Sequence, residues 1–393
     1  MQEEAKVEKY QHRLSPSAWN RFETCPRQYW LSRQKLPRKA SMPASLGTAV
    51  HASIEDLLNM DLSGKNERES GWLLNTGYDF LRQRWEEEKT IFLATPRRGD
   101  WKEEKFSEAK LHHRGGIYML LDHLGINGLD LDLVTVALWR KLQSLVLAVE
   151  GELVTRDGRL MGRLDLLLAN LDDEGNINGW TVADLKTGRI PEGSLKEEVN
   201  RQLCMYRDIL KANNTEYPEI ITQGWYTKDA SKWKASGANV LEDALSAWES
   251  TLPTKIPLKP KIGESSCGGF CDWKAWCPHW LLWRSENGTL HKGDFADAVI
   301  QIVEINENGS GIAELCVPAD ANGNISQSGQ KVPISFKGRG LDALNEAREK
   351  SPDGPLFIGS ALTKGRAWNV GHWCDVLPYQ PIPDGSEYEP VQD

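Results

Sequence analysis

The chain has 393 residues and a mass of 44.2 kDa, with 40% of its residues hydrophobic. That is enough for a full-sized domain plus a smaller one, and it excludes wholesale disorder. The net charge of −9 is uneven: from Asp294 onward seven Lys/Arg face fifteen Asp/Glu, while the 40 basic and 41 acidic residues before them nearly cancel, so bulk charge neither supports nor excludes a nucleic-acid partner.

The opening from Met1 to Tyr10 is charged and has no apolar run, and no window approaches the ~18 apolar residues of a membrane span. The expectation is a cytoplasmic protein with no membrane segment. Ser15-Pro16-Ser17 starts a helix-compatible run through Trp30, and residues 47–59 read as a second helix. Residues 70–145 keep mostly helical periodicity, interrupted near Pro96. The period then changes, and 146–154, 158–171 and 180–188 are β-rich runs separated by Asp/Gly turns. A helix at 195–211 and a strand at 219–227 follow. Lys255 to Lys261 is a proline-punctuated connector, and a cysteine-bearing helix runs on to about Arg284. Beyond Gly293 the order is three strands, a helix and two more strands, which is that of a five-stranded OB barrel. The domains expected are 1–292, 293–378 for the barrel, and a loose tail at 379–393.

Asp165 lies in GRLDLLL, and Asp184 and Lys186 lie in VADLKTG. A hairpin through the Asp172–Gly175 turn would set the two acids side by side, and strand alternation points Asp184 and Lys186 to one face. Glu150 sits on the preceding strand. Three carboxylates and an ammonium on one sheet face suit Mg²⁺ or Mn²⁺ and phosphodiester hydrolysis. A D-x-K triplet alone is common on ordinary strands. Here, however, both acids are embedded in apolar runs, where a charge is costly unless it serves a site.

Seven cysteines without a secretory signal argue against a disulfide framework. Cys267, Cys271 and Cys277 crowd into eleven residues, so a metal site is the better reading. Cys25, Cys204, Cys316 and Cys374 are the candidates for a fourth ligand. Four thiolates suit zinc, but this uneven spacing with a remote partner also suits an iron–sulfur cluster. The tryptophans at 273, 276, 280 and 283 form a helical stripe that reads as core packing and a dry wall for the site.

Five motifs in order resemble the RecB-like branch of the PD-(D/E)xK nucleases. They are LSPSAWNRFETCPRQYW, LGTAVHASIEDLL, Glu150 with GRLDLLL, VADLKTG, and RQLCMYRDIL, together covering roughly residues 14–284. The branch includes CRISPR-adaptation exonucleases and AddB-type nucleases. The resemblance implies an α/β restriction-endonuclease-like core with a mixed central sheet and a helical insertion at about 60–145, to which the strand order beyond Gly293 adds the small all-β OB-like barrel. It implies a metal-dependent DNA exonuclease that prefers single strands. His51, Asp165, Asp184 and the Leu185 carbonyl would be metal ligands, Glu150 a metal or water contact, and Lys186 the catalytic lysine. Gln202 and Tyr206 would contact DNA. In the cluster-bearing members one cysteine precedes the histidine helix in a Cys-Pro context and three follow the core. That implies a 4Fe–4S cluster on Cys25, Cys267, Cys271 and Cys277. The triplet here is one residue longer than the usual C-x2-C-x5-C. The acidic barrel either binds single strands or docks a protein partner. A catalytically silent DNA-binding subunit is the alternative, and the intact Asp165, Asp184 and Lys186 argue against it.

Overall fold

The computed structural model describes residues 12–388. The expected single opening run is two helices. Pro26 disfavours helical backbone in the residue before it, so α1 (Pro16–Thr24) stops and Cys25 is extended at φ −165° and ψ 115°. The chain then restarts as α2 (Pro26–Ser32), with proline at its first position. Four helices follow: α3 (Met42–Asn59), α4 (Leu73–Ala94), α5 (Phe106–His123) and α6 (Val136–Leu145). Thr135 caps α6, its hydroxyl accepting the Leu138 N–H at 3.2 Å. The change of period at 146 marks β1 (Val146–Val154), β2 (Met161–Leu171) and β3 (Ile177–Lys186). After these come α7 (Glu197–Asn213), β4 (Glu219–Tyr226), β5 (Ser231–Lys234) and α8 (Leu241–Ser250). The sequence reading missed β5 and α8. β5 has four residues, too few to show a period.

The chain divides into two compact units, one made of residues up to 19, 42–94 and 101–250, the other of 20–41, 95–100 and 251 onward. In the first unit the sheet order is β1-β2-β3-β4-β5, with β3 and β4 parallel and the other neighbours antiparallel. This is the mixed α/β core expected. Both sheet faces are covered. Leu166, Leu168, Ala183 and Leu185 pack with helices α3 to α6 on one side, and Leu164, Val182 and Ile220 pack with Leu203, Tyr206 and Leu210 of α7 on the other. Trp85 and Trp139 are fully buried in the helical layer. Truncating either to alanine would cost about 3–5 kcal/mol.

The second unit holds α2, a single turn at Glu264–Gly268, α9 (His279–Glu286), and the strands β6 (Phe295–Ile305), β7 (Ser310–Pro318) and β8 (Ile325–Phe336). After α10 (Arg339–Lys350) come β9 (Leu356–Leu362), β10 (Trp368–Val370) and β11 (Asp375–Pro378). The expected last strand is two, β10 and β11. β10 pairs with β8 in parallel and with β9 antiparallel, while β9 also pairs with β6 and β11. The tryptophan stripe is not on one helix: Lys274–Trp276 is a 3-10 turn, and Cys277-Pro278 separates it from α9. All four tryptophans nevertheless join one apolar cluster, with Trp30, Val299, Phe357, Tyr379 and Ile382. That cluster is why the compact units do not follow the 292/293 boundary. Tyr379 and Ile382 are buried in it, so the stretch after Pro378 is anchored through those two residues, and 389–393 lie outside the described residues. No helix among the described residues is long and apolar enough to cross a membrane.

Candidate metal centre

Strand register decides where the acids lie. β1 pairs with β2 through Val149↔Leu166 and Gly151↔Leu164, which leaves Glu150 opposite Asp165. β2 pairs with β3 through Leu166↔Ala183, and one step further along Asp165 stands opposite Asp184. Three carboxylates therefore lie in a row across neighbouring strands. Alternation puts Asp184 and Lys186 on the same face as Val182, the face covered by α7. Glu150 has φ of 50°, the left-handed region that a non-glycine strand residue rarely adopts. Such backbone costs on the order of 1–3 kcal/mol and persists where the surroundings over-determine it, which is common at functional sites.

His51 comes from α3. Gly47, one turn earlier, explains the approach of that helix, because a Cβ there would stand 3.0 Å from the Thr187 hydroxyl just after β3. His51 Nδ1 lies 3.5 Å from Asp165 Oδ2. His51, Glu150 and Asp165 offer ligand atoms that all lie within 4.8 Å of one another, the one such set of three among the described residues.

Asp184 is 2% exposed and turned toward other partners. Its Oδ1 accepts from Gln202 Nε2 at 2.8 Å, and its Oδ2 lies 2.5 Å from Lys186 Nζ without a well-aligned hydrogen bond. Lys186 Nζ also donates to Gln202 Oε1 at 3.3 Å. Leu185 meets the site through its backbone N–H, which donates to Asp165 Oδ2 at 2.6 Å. Gln202 Nε2 donates to the Tyr206 hydroxyl at 2.8 Å, and that hydroxyl donates to the Arg163 carbonyl at 2.7 Å. Gly162 makes room for this ring, since a Cβ there would come within 2.5 Å of it. The structure thus gathers His51, Glu150, Asp165, Asp184, Lys186, Gln202 and Tyr206 at one end of the sheet. Two further residues escaped the sequence reading. Arg163 pairs with Glu150 Oε2 at 2.7 Å, and Glu55, one helical turn after His51, adds negative charge near Glu150. The i, i+2 spacing of Arg163 and Asp165 on a strand was the available signal.

Electrostatics show what the site lacks. Burial, then the neighbouring Asp165 carboxylate, pushes Asp184 above the usual carboxylate range, and the same causes raise Glu150. Burial alone would lower His51, but Asp165, Asp184 and Glu150 outweigh it and the imidazole is raised. Lys186 is likewise raised, its burial outweighed by Asp184. A cluster in which Asp184 and Glu150 are driven toward protonation while His51 and Lys186 hold protons has an excess of negative charge. One imidazole nitrogen, the carboxylates and the under-bonded Asp184 Oδ2 are donors that fit a hard divalent cation.

A family model described as the PD-(D/E)XK nuclease superfamily matches residues 13–278, more than half of the chain. The chain belongs to that superfamily. No curated protein matches it. Nucleases of this superfamily typically use a divalent metal and act on DNA, and the matched residues of this nuclease include the whole His51–Lys186 constellation.

The nuclease has a second cluster, in its other compact unit. Cys25, Cys267, Cys271 and Cys277 line one cavity with Arg27, Lys274 and Trp280. The extended backbone at Cys25 is the Cys-Pro break between α1 and α2, and Cys267 N–H is held by the Gly263 carbonyl at 2.8 Å. Burial is the main cause raising three of the thiols, with Cys271 pushed up to about 11 and Cys277 up to about 12. Arg27 and Lys274 are almost fully buried beside them. Cys204 lies elsewhere, on α7 against the Ser236 carbonyl, and Cys374 points to the Ser360 carbonyl. Cys316 shares the apolar cluster of Cys267, closer than its strand position suggested, yet it does not line the cavity.

Proposed function

We propose that this nuclease hydrolyses DNA phosphodiesters with Mg²⁺ or Mn²⁺ as an exonuclease preferring single strands, in the cytoplasm, in repair, recombination or phage- and CRISPR-related DNA processing. The observation that carries the reading is the convergence of His51, Glu150 and Asp165 within 4.8 Å, next to the Asp184–Lys186 pair. His51, Glu150 and Asp165 would hold the cation, with Asp184 and the Leu185 backbone as the further expected ligands. A bound divalent ion polarises the phosphate and lowers the pKa of water. Lys186, fixed by Asp184 and Gln202, keeps its proton and offers a positive charge where negative charge develops on the phosphate and the attacking water. Gln202 and the buried Tyr206 brace that pair, and contact with the DNA backbone through them is what the motif resemblance implies. The preference for single strands and the RecB-like branch rest on the motif resemblance. Incubation with 5′-labelled and 3′-labelled single strands and duplexes, with and without Mn²⁺, tests the reading. Metal-dependent shortening from one end of the single strand supports it, and internal cuts alone would replace exonuclease with endonuclease.

The four-cysteine cavity would hold a 4Fe–4S cluster, and its donor set fits one. Buried Arg27 and Lys274 stand beside the cysteines, each also paired with a carboxylate, Asp384 and Asp297. The cluster would join Cys25 to the triplet and so brace the second unit. The strands beyond residue 293 have an OB-like order, supported by β10 pairing with both β8 and β9. With its net acidic charge this barrel serves as a bracing or docking module for a protein partner, or as a weak single-strand binder.

A further inference from the structure

The second compact unit contains a pocket that neither the catalytic residues nor the cysteines explain. It is a small open cleft with a cavity volume of about 40 Å³, room for a few water molecules or one compact anion. Pro37, Pro96, Ala343, Val376 and Pro378 form its apolar walls. Its charged lining is Arg97, Arg98, Arg339 and Lys350 against Glu346 and Asp375. This excess of positive charge stands out in a region whose residues from 294 onward carry more than twice as many acids as bases.

The charges divide into a spent set and a free set. Arg97 is 4% exposed and fully engaged, donating to Asp375, to the Pro37 carbonyl and to the Asp272 carbonyl. Lys39 also binds Asp375, at 2.7 Å, so that acid is doubly compensated and its carboxyl is held below the usual range despite burial. Arg339 shares its guanidinium between Glu346, at 2.6 and 3.2 Å, and the Pro96 carbonyl, and its buried Nε has no hydrogen-bond partner. Arg98 and Lys350 hold no ion pair with any described residue, although both lie near enough to Glu346 to influence its charge. Glu346, half exposed and held by Arg339, is the acid nearest these three cations, and Asp342 reaches Arg339 only at 4.0 Å.

We propose that this pocket binds the phosphate of a nucleotide, with Arg98, Lys350 and Arg339 as the anion ligands and the prolines as the wall for its base or sugar. Cation pairs beside a rigid apolar wall suit a group that is anionic at one end and flat at the other. Choosing a nucleotide rests on the nuclease reading, whereas the charge balance of the pocket does not. Phosphate of that chemistry could belong to a released mononucleotide or to a strand passing over this unit.

Calorimetric titration of the full-length protein in EDTA, where no cleavage occurs, separates these cases, with deoxythymidine 5′-monophosphate, inorganic phosphate and a short oligo-dT as probes. Arg98→Ala with Lys350→Ala should weaken binding of the nucleotide or the oligonucleotide at least tenfold. Glu346→Gln, an exposed and structurally mild change, should strengthen it several-fold by releasing Arg339. Equal binding of mononucleotide and oligonucleotide assigns the site to product, and a preference for the oligonucleotide assigns it to the strand. If Asp184→Ala abolishes binding while the pocket variants leave it intact, the phosphate goes to the catalytic centre. The pocket proposal then falls and the nuclease reading stands. If none of the three probes binds in a way that responds to the pocket variants, the proposal also falls. Metal-dependent cleavage of short strands, measured alongside, fails only if the nuclease reading is wrong.

Discussion

The two polar centres of this molecule are built by opposite means. The acidic centre is placed mainly by strand pairing: Glu150, Asp165 and Asp184 fall in line across three neighbouring strands, with left-handed backbone at Glu150 alone, and one helix adds His51. The cysteine cavity is placed by irregular backbone. Its four cysteines come from a break between two short helices, a single turn, the irregular stretch at Cys271 and the residue before Pro278. A register transmits position along a whole strand, so the positions of these acids follow from the pairing of the sheet. Loops and single turns carry little stability of their own, so the cysteine cavity depends on the apolar cluster packed around it.

The contrast can be broken at several points. The largest expected effect is on catalysis: Asp165→Ala, Asp184→Ala or Lys186→Ala should each cut the metal-dependent cleavage rate about a thousandfold, while the melting temperature changes little. Wild-type cleavage by purified Asp184→Ala would remove the centre from the mechanism. Next comes Cys25→Ser, which should lose most iron and sulfide, lower the melting temperature and open residues 260–290 to protease. Cys204→Ser, Cys316→Ser and Cys374→Ser should keep the metal. Iron retained in Cys25→Ser and lost in one of the others would transfer the ligand role.

Smaller changes sharpen the comparison. Gly162→Val should displace the Tyr206 ring, which a Cβ would meet at 2.5 Å, and slow cleavage about tenfold or more with Mn²⁺ affinity by calorimetry intact. A parallel loss of Mn²⁺ affinity would show that α7 shapes the metal ligands themselves. Tyr206→Phe removes a hydroxyl that donates to the Arg163 carbonyl and accepts from Gln202, and should cost about 1 kcal/mol of stability by urea unfolding. Arg163→Ala should cost least, a few tenths of a kcal/mol, because that side chain is 66% exposed and its pair with Glu150 is screened by water. A large stability loss there would mean that the pair holds Glu150 in its strained backbone.

The catalytic side of the molecule was legible in the amino-acid order. Alternation along VADLKTG put Asp184 beside Lys186, and a polar turn after GRLDLLLANL implied the hairpin that sets Asp165 opposite Asp184. Strand period and turn chemistry are local, so a single sequence displays them. The left-handed backbone at Glu150, the approach of α3 made possible by Gly47, and the turning of Asp184 toward Gln202 were not legible. Each depends on an element far away in the chain. The same holds for the division into units: residues 20–41 pack with the chain beyond 251 because Trp30 and Leu31 complete an apolar cluster with Trp276, Trp280 and Phe357. Local pattern determined which residues could form a metal centre and which elements carry them. Tertiary structure alone decided which donors converge and which segments share a core, because both follow from burying apolar surface contributed by distant parts of the chain.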